Sequence, residues 1–340
     1  MQKWIVLALP LASLSVKAQT NEAQYKQKII DSIILARVSE IAKAYPMLRQ
    51  ISVSNDLVLK RRSSTDFNKE KVFSSKLLTN RTRANINLPV FAKNRNVFNV
   101  SLNYSYQFQQ YGNVEPVNTQ GTAAEGDKEL STNTYGFGLS YVRNDSLFHL
   151  PVVYSLTVAG VTATSGAIQK MSYMANVMFN LKRTPVTSLS LGAIIIIDPS
   201  LTMPFIPVLS YYRRLQSSQL ELLIDMPQRA ILRKQFNKKS WITLGTEVAN
   251  SVSFLDLGRY SLPTTTNYST FELKNGLNFE YEIAPKVVAG IGGGIFTTVS
   301  SRMFKATGRS NEYFIRDRTK PAPYLNISIS FLPFMRSLIR

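Results

Sequence analysis

Along most of the chain, apolar and polar residues alternate one by one. From Phe98 to Phe108 the even positions read Phe98, Val100, Leu102, Tyr104, Tyr106 and Phe108, and the odd ones Asn99, Ser101, Asn103, Ser105 and Gln107. Period 2 is the pleat of a β-strand with one apolar and one polar face. The pattern returns at 171–181, where Tyr173, Ala175, Val177 and Phe179 alternate with Ser172, Asn176 and Asn180. It returns again at 271–281, with Leu273, Leu277 and Phe279 against Glu272, Lys274, Asn278 and Glu280. A soluble β-sandwich alternates too. Eleven residues is about the length of a tilted spanning strand, and two features favour a membrane: the polar face carries Asn, Gln and Glu deep within strands, and aromatics cluster toward strand ends, as an interfacial girdle requires. The fold class read from this pattern is all-β, an antiparallel transmembrane β-barrel preceded by one amphipathic helix.

Strands are predicted near 51–60, 71–90, 97–111, 132–143, 151–163, 171–182, 187–197, 205–215, 218–226, 229–236, 240–250, 268–282, 287–300 and 320–332. That makes fourteen, an even number as single-chain bacterial barrels have. The weak point is 218–236, where Met226-Pro227-Gln228 joins two short strands; twelve follows if they do not both span. The connections 61–70, 112–131, 251–267 and 301–319 read as long outer loops, and those between them as short inner turns.

Residues 1–18 read as a signal peptide: Lys3 gives a positive start, 4–14 form a short apolar core, and Val16-Lys17-Ala18 offers a cleavage site before Gln19. Export leads to the cell outer membrane as the expected location. The 19–50 segment follows a different period. Ile29, Ile30, Ile33, Ile34, Val38, Ile41 and Tyr45 recur at 3, 4 and 7, opposite Lys26, Lys28, Asp31, Arg37, Glu40 and Lys43, which predicts an amphipathic helix over 22–45 ended by Pro46. Its stripe must bury against something: as a plug in the barrel, as a helix docked on the rim, or on the inner leaflet. The barrel spans 51–332, and 333–340 form a C-terminal tail.

Residues 204–249 contain Pro204-Phe205-Ile206-Pro207, Ser210-Tyr211-Tyr212, Leu223-Ile224-Asp225-Met226-Pro227-Gln228-Arg229, Leu232-Arg233 and Leu244-Gly245-Thr246-Glu247. This region resembles the core of a Bacteroidota outer-membrane β-barrel family of unknown function, and the similarity extends over about 80–332. The resemblance implies location and fold, and no activity. The chain departs from the general outer-membrane pattern at its end. Phe331 is followed by a nine-residue tail, not by the chain terminus, so the signal read by the barrel-assembly machinery is imperfect.

Taking the apolar face of each strand as lipid-facing places Arg81, Arg83, Arg229, Arg233 and Lys274 in the lumen, together with Glu221, Asp225, Glu247, Glu272, Glu280 and Glu282. These nearly cancel, and confined charges of opposite sign should pair. Such a set is either an ion-pair network filling the lumen or a charged constriction that selects solutes. Gly290, Gly292 and Gly294 share parity and should also face inward, a stripe that lets a backbone approach closely, the helix being the candidate, or that allows curvature. Ile194 and Ile196 face inward by the same rule and would make an oily patch.

The chain carries 40 Lys+Arg against 21 Asp+Glu, a net charge of +19. The excess falls at the rims, at Lys60-Arg61-Arg62, Lys69, Lys71, Arg302, Lys305, Arg309, Arg316, Arg318 and Lys320 on one side, and at Lys93, Arg95, Lys182, Arg183, Lys238 and Lys239 on the other. Basic rims suit the phosphates of membrane lipids and of a lipid A-type glycolipid; with export and no base-stacking motif, nucleic acid is not an expected partner. Zero Cys and one His argue against metal centres and thiol chemistry, and no cofactor is expected. Ala289-Gly290-Ile291-Gly292-Gly293-Gly294 meets neither phosphate-loop spacing and lies mid-strand. His149 and Ser155 share a face, but six residues of strand hold them about 20 Å apart, too far for a hydrolase dyad. No enzymatic role is expected. The leading reading is a porin-like channel or transporter for small solutes. Its rival is a non-conducting barrel with a plugged lumen and a structural or interaction role, and an outer-membrane hydrolase is remote. Oligomeric state is not legible.

Overall fold

The computed structural model describes residues 21–117, 127–163, 167–198, 204–215, 219–255, 265–306 and 308–335. The signal-peptide reading of 1–18 and the last five residues of the tail lie outside these. Helix α1 (Asn21–Ala44) and a 3-10 turn (Pro46–Leu48) precede the strands β1 (Ile51–Phe67), β2 (Glu70–Lys93), β3 (Asn96–Pro116), β4 (Lys128–Leu147), β5 (Leu150–Thr162), β6 (Lys170–Arg183), β7 (Thr187–Ile197) and β8 (Phe205–Leu215). They continue with β9 (Leu220–Met226), β10 (Arg229–Gln235), β11 (Ser240–Leu255), β12 (Thr266–Ala284), β13 (Val287–Lys305), β14 (Ile315–Thr319) and β15 (Ala322–Phe331). From β1 to β13 each strand pairs antiparallel with the next, and β1 pairs with β14 and β15 to close the ring. β14 and β15 are two halves of one passage, interrupted at Lys320–Pro321, where proline has no N–H to give a ladder. The ring therefore has fourteen passes, as the alternation predicts.

The outward parity is mostly apolar, and its polar exceptions hydrogen-bond one another, Asn55 to Asn80 and Thr82, and Thr246 to Asn275. Leu102, Leu139, Leu156, Ile195, Ile291 and Ile327 all point away from the lumen and are exposed, Ile327 to 65%. A continuous exposed belt of this kind is stable in hydrocarbon, where a closed ring also leaves no unpaired edge. The molecule is a membrane-spanning β-barrel. Its base carries Ile51, Phe331 and the turns at 94–95, 148–149 and 285–286; the opposite end is the crown.

The crown departs from the sequence reading. Segment 61–70 is not a long loop: β1 continues to Phe67 and reverses through Asn68 and Lys69, whose φ values of 48° and 73° make a tight two-residue hairpin turn. β3, β11 and β13 likewise overrun the predicted ends. Beyond the belt both faces of a strand meet polar surroundings, so the apolar–polar alternation stops although the strand does not.

Strand length then divides the barrel. β1 to β4 have 17 to 24 residues, whereas β5 to β8 have 11 to 14 and β9 and β10 only 7 each. The β4–β5 ladder ends at Tyr135–Thr162 and the β10–β11 ladder at Arg229–Glu247, so β4 and β11 both stand clear above it. These two overhangs meet. Thr132 Oγ1 donates to Ser253 Oγ and Thr134 Oγ1 to the Val252 carbonyl, both at 3.3 Å. Above this seam the ring consists of β1 to β4 and β11 to β14, eight strands. Below it all fourteen passes enclose the lumen, with β5 to β10 bulging as a lobe.

Leu102 faces lipid and Asn103 faces an open stretch of lumen, where it is itself exposed. Leu102→Arg near mid-membrane should cost about 2–4 kcal/mol, while Asn103→Arg should cost far less. Urea titration followed by heat-modifiable gel migration reads both; equal losses would contradict the assigned faces.

Candidate functional site

Eight strands enclose a space that side chains fill, and here polar groups share it with two buried apolar clusters, Val58, Phe296, Ala322 and Tyr324, and Leu255, Tyr268 and Met303. Arg81 donates through Nη1 and Nη2 to both oxygens of Glu272 at 2.7 and 2.9 Å, and through Nε to Gln107 Oε1 at 2.8 Å. Thr270 Oγ1 adds a 2.9 Å bond to Glu272 Oε1. Lower on the same wall Lys274 Nζ reaches Asp56 Oδ2 at 2.5 Å, Arg83 Nη1 lies 3.4 Å from that oxygen, and Asn326 donates to Asp56 Oδ1 at 2.8 Å. Near the top, Thr65 and Tyr268 hydroxyls donate to Asp317 at 2.6 and 3.4 Å. Arg61, expected on the rim, is buried here beside Thr79 with its guanidinium over the Phe296 ring. A register shift between Val58 and Arg61 turns it inward.

A second cluster lines the foot of the lobe. Glu221 accepts from Arg233 Nη1 at 2.6 Å, Arg214 Nη2 at 2.7 Å and Tyr212 at 3.0 Å. Asp225 accepts from Arg229 Nε at 2.9 Å and from Ser210 at 2.7 Å. Glu247 faces inward between Arg229 and Lys274 in register, yet it is exposed and, among the described residues, makes no ion pair. It is the one predicted lumen charge that the structure leaves open to water.

The third cluster joins the helix to the base. Arg49 Nη1 and Nη2 hold Glu280 at 2.5 and 3.1 Å, Trp241 Nε1 donates to the same carboxylate at 2.6 Å, and Arg49 also reaches Ser330 at 2.9 Å. Lys43 Nζ sits 3.1 Å from Glu282. Ala42 packs with Trp241, Val288 and Leu332 inside the mouth, and Ser39 donates to the Pro333 carbonyl at 2.8 Å. Tyr45 lies under the Arg229 guanidinium, 4.8 Å from ring centre; burial and nearby Asp225 push its hydroxyl up to about 12, so it stays neutral. The helix is therefore docked by its last turn on the base, with Ile33, Ile34, Val38 and Ile41 of its apolar stripe exposed.

That seating corrects the reading of the glycines. Gly290, Gly292 and Gly294 face the lumen, but what crowds them is their own wall. A Cβ on Gly290 would lie 2.5 Å from Ser328 Oγ, one on Gly292 2.8 Å from Asn278 Oδ1, and one on Gly294 2.0 Å from the Asn275 carbonyl. The stripe serves the close curvature of β12, β13 and β15 and not helix packing. Above Arg49, along these strands, lies a cavity of about 260 Å³ that Lys274, Glu247, Asn278 and Asn326 also line. His149 and Ser155 are not brought together: His149 occupies the base turn with φ 63°, and Ser155 faces the lumen opposite Val142 and Asn176.

Sequence reasoning missed Asp56, Arg49, Arg61, Arg214 and Asp317. Asp56 shares the inward parity of Ser52 and Ser54 opposite Ile51, Val53 and Leu57, so the alternation rule already marks it. Arg49 precedes the first strand and has no parity. Arg61 follows a bulge that resets parity, and Asp317 lies in a segment read as loop.

Removing one partner of a buried pair leaves the other charge uncompensated. Arg81→Met should therefore cost about 3–5 kcal/mol, and Arg81→Met with Glu272→Met should recover much of that loss. Urea unfolding of the reconstituted barrel measures both; a double variant as weak as the single would contradict a crown held by charge pairing. At the base, Glu280→Gln should free the helix, seen as faster trypsin cleavage at Arg37 with the folded gel migration retained. Gly292→Leu should instead weaken the wall and leave cleavage at Arg37 unchanged.

No family model matches this chain, and no curated protein does. Among solved structures it is similar to an outer membrane channel from Pseudomonas putida F1, at 10% identity and TM-score 0.34, over 84% of this chain and 95% of that one. It is also similar to the translocator domain of the autotransporter NalP from Neisseria meningitidis, at 8% identity and TM-score 0.28, over 91% and 97%. The Pseudomonas putida toluene transporter TodX matches at 10% identity and TM-score 0.31, over 83% and 88%. At such scores the likeness identifies no function, and the barrel rests on its own strand pairing.

Proposed function

We propose that this chain is an outer-membrane barrel that passes small solutes, with the base in the periplasm and the passage confined to the lobe side of the lumen. The supporting observation is the contrast across the seam. Above it the inward side chains Thr79, Arg81, Gln107 and Glu272 are all buried, whereas below it the inward-facing Asn103 and Glu247 are exposed. Buried polar atoms packed against one another leave no route, and inward residues in contact with water mark one. The crown is then a rigid wall, and Arg214 and Glu247 are the exposed charges a solute meets, with Glu221 and Arg229 buried behind them. Basic residues at both rims would hold membrane phosphates, the outer ones those of a lipid A-type glycolipid. The separation of His149 and Ser155 along the strand argues against a hydrolase dyad made of that pair.

The rival reading, a closed barrel, is favoured by one specific observation: Arg49 and the last turn of α1 occupy part of the base mouth. Planar-bilayer recording separates the two. Full-length protein should show openings, and Glu280→Gln or deletion of 22–46 should raise their conductance. Absence of openings in all three would overturn the transport reading.

A further inference from the structure

The lobe has an interior unlike the rest of the lumen. On β7 and β8 the inward parity carries Ile194 and Ile196, and Ile206 and Val208, and on β6 it carries Met174 and Met178 on either side of Asn176, which lies opposite Ile194. Register joins them into one surface: Met174 lies opposite Ile196, Ile194 opposite Ile206, and Val208 and Met178 both flank Gly192. The alternate residues Tyr173, Leu191, Ile195, Ile197 and Phe205 are the exposed lipid-facing ones, so the upper part of the wall is largely apolar on both faces, with Asn176 as the polar interruption of its inner side. A barrel lumen is ordinarily polar, because its inward residues meet water. Asn103, Ser101 and Ser140 on the nearby strands β3 and β4 carry the ordinary polar inward parity. None of the six is fully buried by the chain itself.

Down β8 the inward residues change from Ile206 and Val208 to Ser210, Tyr212 and Arg214. The change occurs over roughly 7 Å per pair of residues. Beside them the buried Arg229 keeps Nη2 without a hydrogen-bond partner, although its Nε holds Asp225. The lobe thus offers a largely apolar surface leading to a polar foot, where Arg214 is exposed. Its upper edge is low, because the β9–β10 hairpin stops at Met226 and Arg229 while β11 continues to Leu255.

We propose that the lobe binds small amphipathic organic solutes, with the alkyl or aromatic body on the Met174–Ile194–Ile196–Ile206–Val208 wall and the polar group toward Ser210 and Arg229. Polar solutes such as sugars gain nothing from that wall, whereas an apolar body removes it from water at about 25 cal/mol per Å². This inference rests on the lobe being the solute passage, and it names the class of solute that passage favours.

Full-length protein in phospholipid vesicles is exposed to a medium-chain alcohol carrying an alkyl diazirine, illuminated, and mapped by mass spectrometry. Labelling of Ile194, Ile196 and Ile206 should saturate with probe concentration and be displaced by unlabelled 1-octanol. Ile195 and Ile197, one residue away and facing lipid, should label in proportion to probe without saturation. Ile194→Asn with Ile196→Asn should raise the half-saturating concentration at Ile206 by at least about tenfold, with folded migration unchanged. Labelling confined to Ile195 and Ile197, or unaffected by the double variant, overturns the proposal. Bilayer conductance with no saturable lumen labelling sinks the solute class and leaves the passage standing. Saturable labelling without conductance keeps the binding surface and sinks transport.

Discussion

The interior width of a closed barrel is set by the number of strands around it, and in this chain that number changes along the axis. The change comes from strand length alone. β5 to β10 stop where β4 and β11 go on, and the bare edges of those two meet through Thr132, Thr134, Val252 and Ser253. An unpaired strand edge exposes a row of backbone donors and acceptors, so two such edges at one level have reason to close on each other. Once closed, eight strands leave room for side chains and nothing else. The packed crown, the lobe and the lumen between them follow from that one contact.

The charges obey the same geometry. In the crown, confinement makes an unpaired ion costly, and Glu272 is met by Arg81 through both oxygens with Gln107 and Thr270 completing the set. At the base, Glu280 is met by Arg49 and Trp241, which ties the segment before the barrel to its mouth and forms a lid over part of it. In the wider section the pairing is mixed, since Glu221 is buried and held by Arg233, Arg214 and Tyr212. Arg214 is half-exposed while it holds Glu221, and Glu247 stands alone in water.

Much of this was legible in the sequence, and the reasons differ by element. Strict alternation at 98–108 placed Leu102 outside and Asn103 inside because the outer side of a lipid-facing strand favours apolar residues. The same rule placed Arg81, Glu221, Arg233 and Glu272 inside, and it placed Ile194 and Ile196 there against the usual polarity. It failed where its cause is absent. Past the belt the outer face of β1 carries Arg62 and Ser64, so strand could not be told from loop, and Asp317 went unnoticed. Parity also broke at the Val58–Arg61 bulge. The division of the lumen was not legible at all, since it arises from a contact between strands more than a hundred residues apart. The glycine row pointed correctly inward, but close approach by what, strand or helix, is not written in glycine.

The central claim is that the lumen is split into a dry crown and a wet lobe. The chain has no cysteine, so single cysteines report cleanly. Asn103→Cys and Thr157→Cys place a thiol on the lobe side, and Thr79→Cys places one inside the crown. A membrane-impermeant maleimide applied to folded protein in vesicles should modify the first two within minutes and leave the third untouched until the barrel is unfolded. Rapid modification of Thr79→Cys in the folded barrel, with Asn103→Cys and Thr157→Cys protected, would contradict the account.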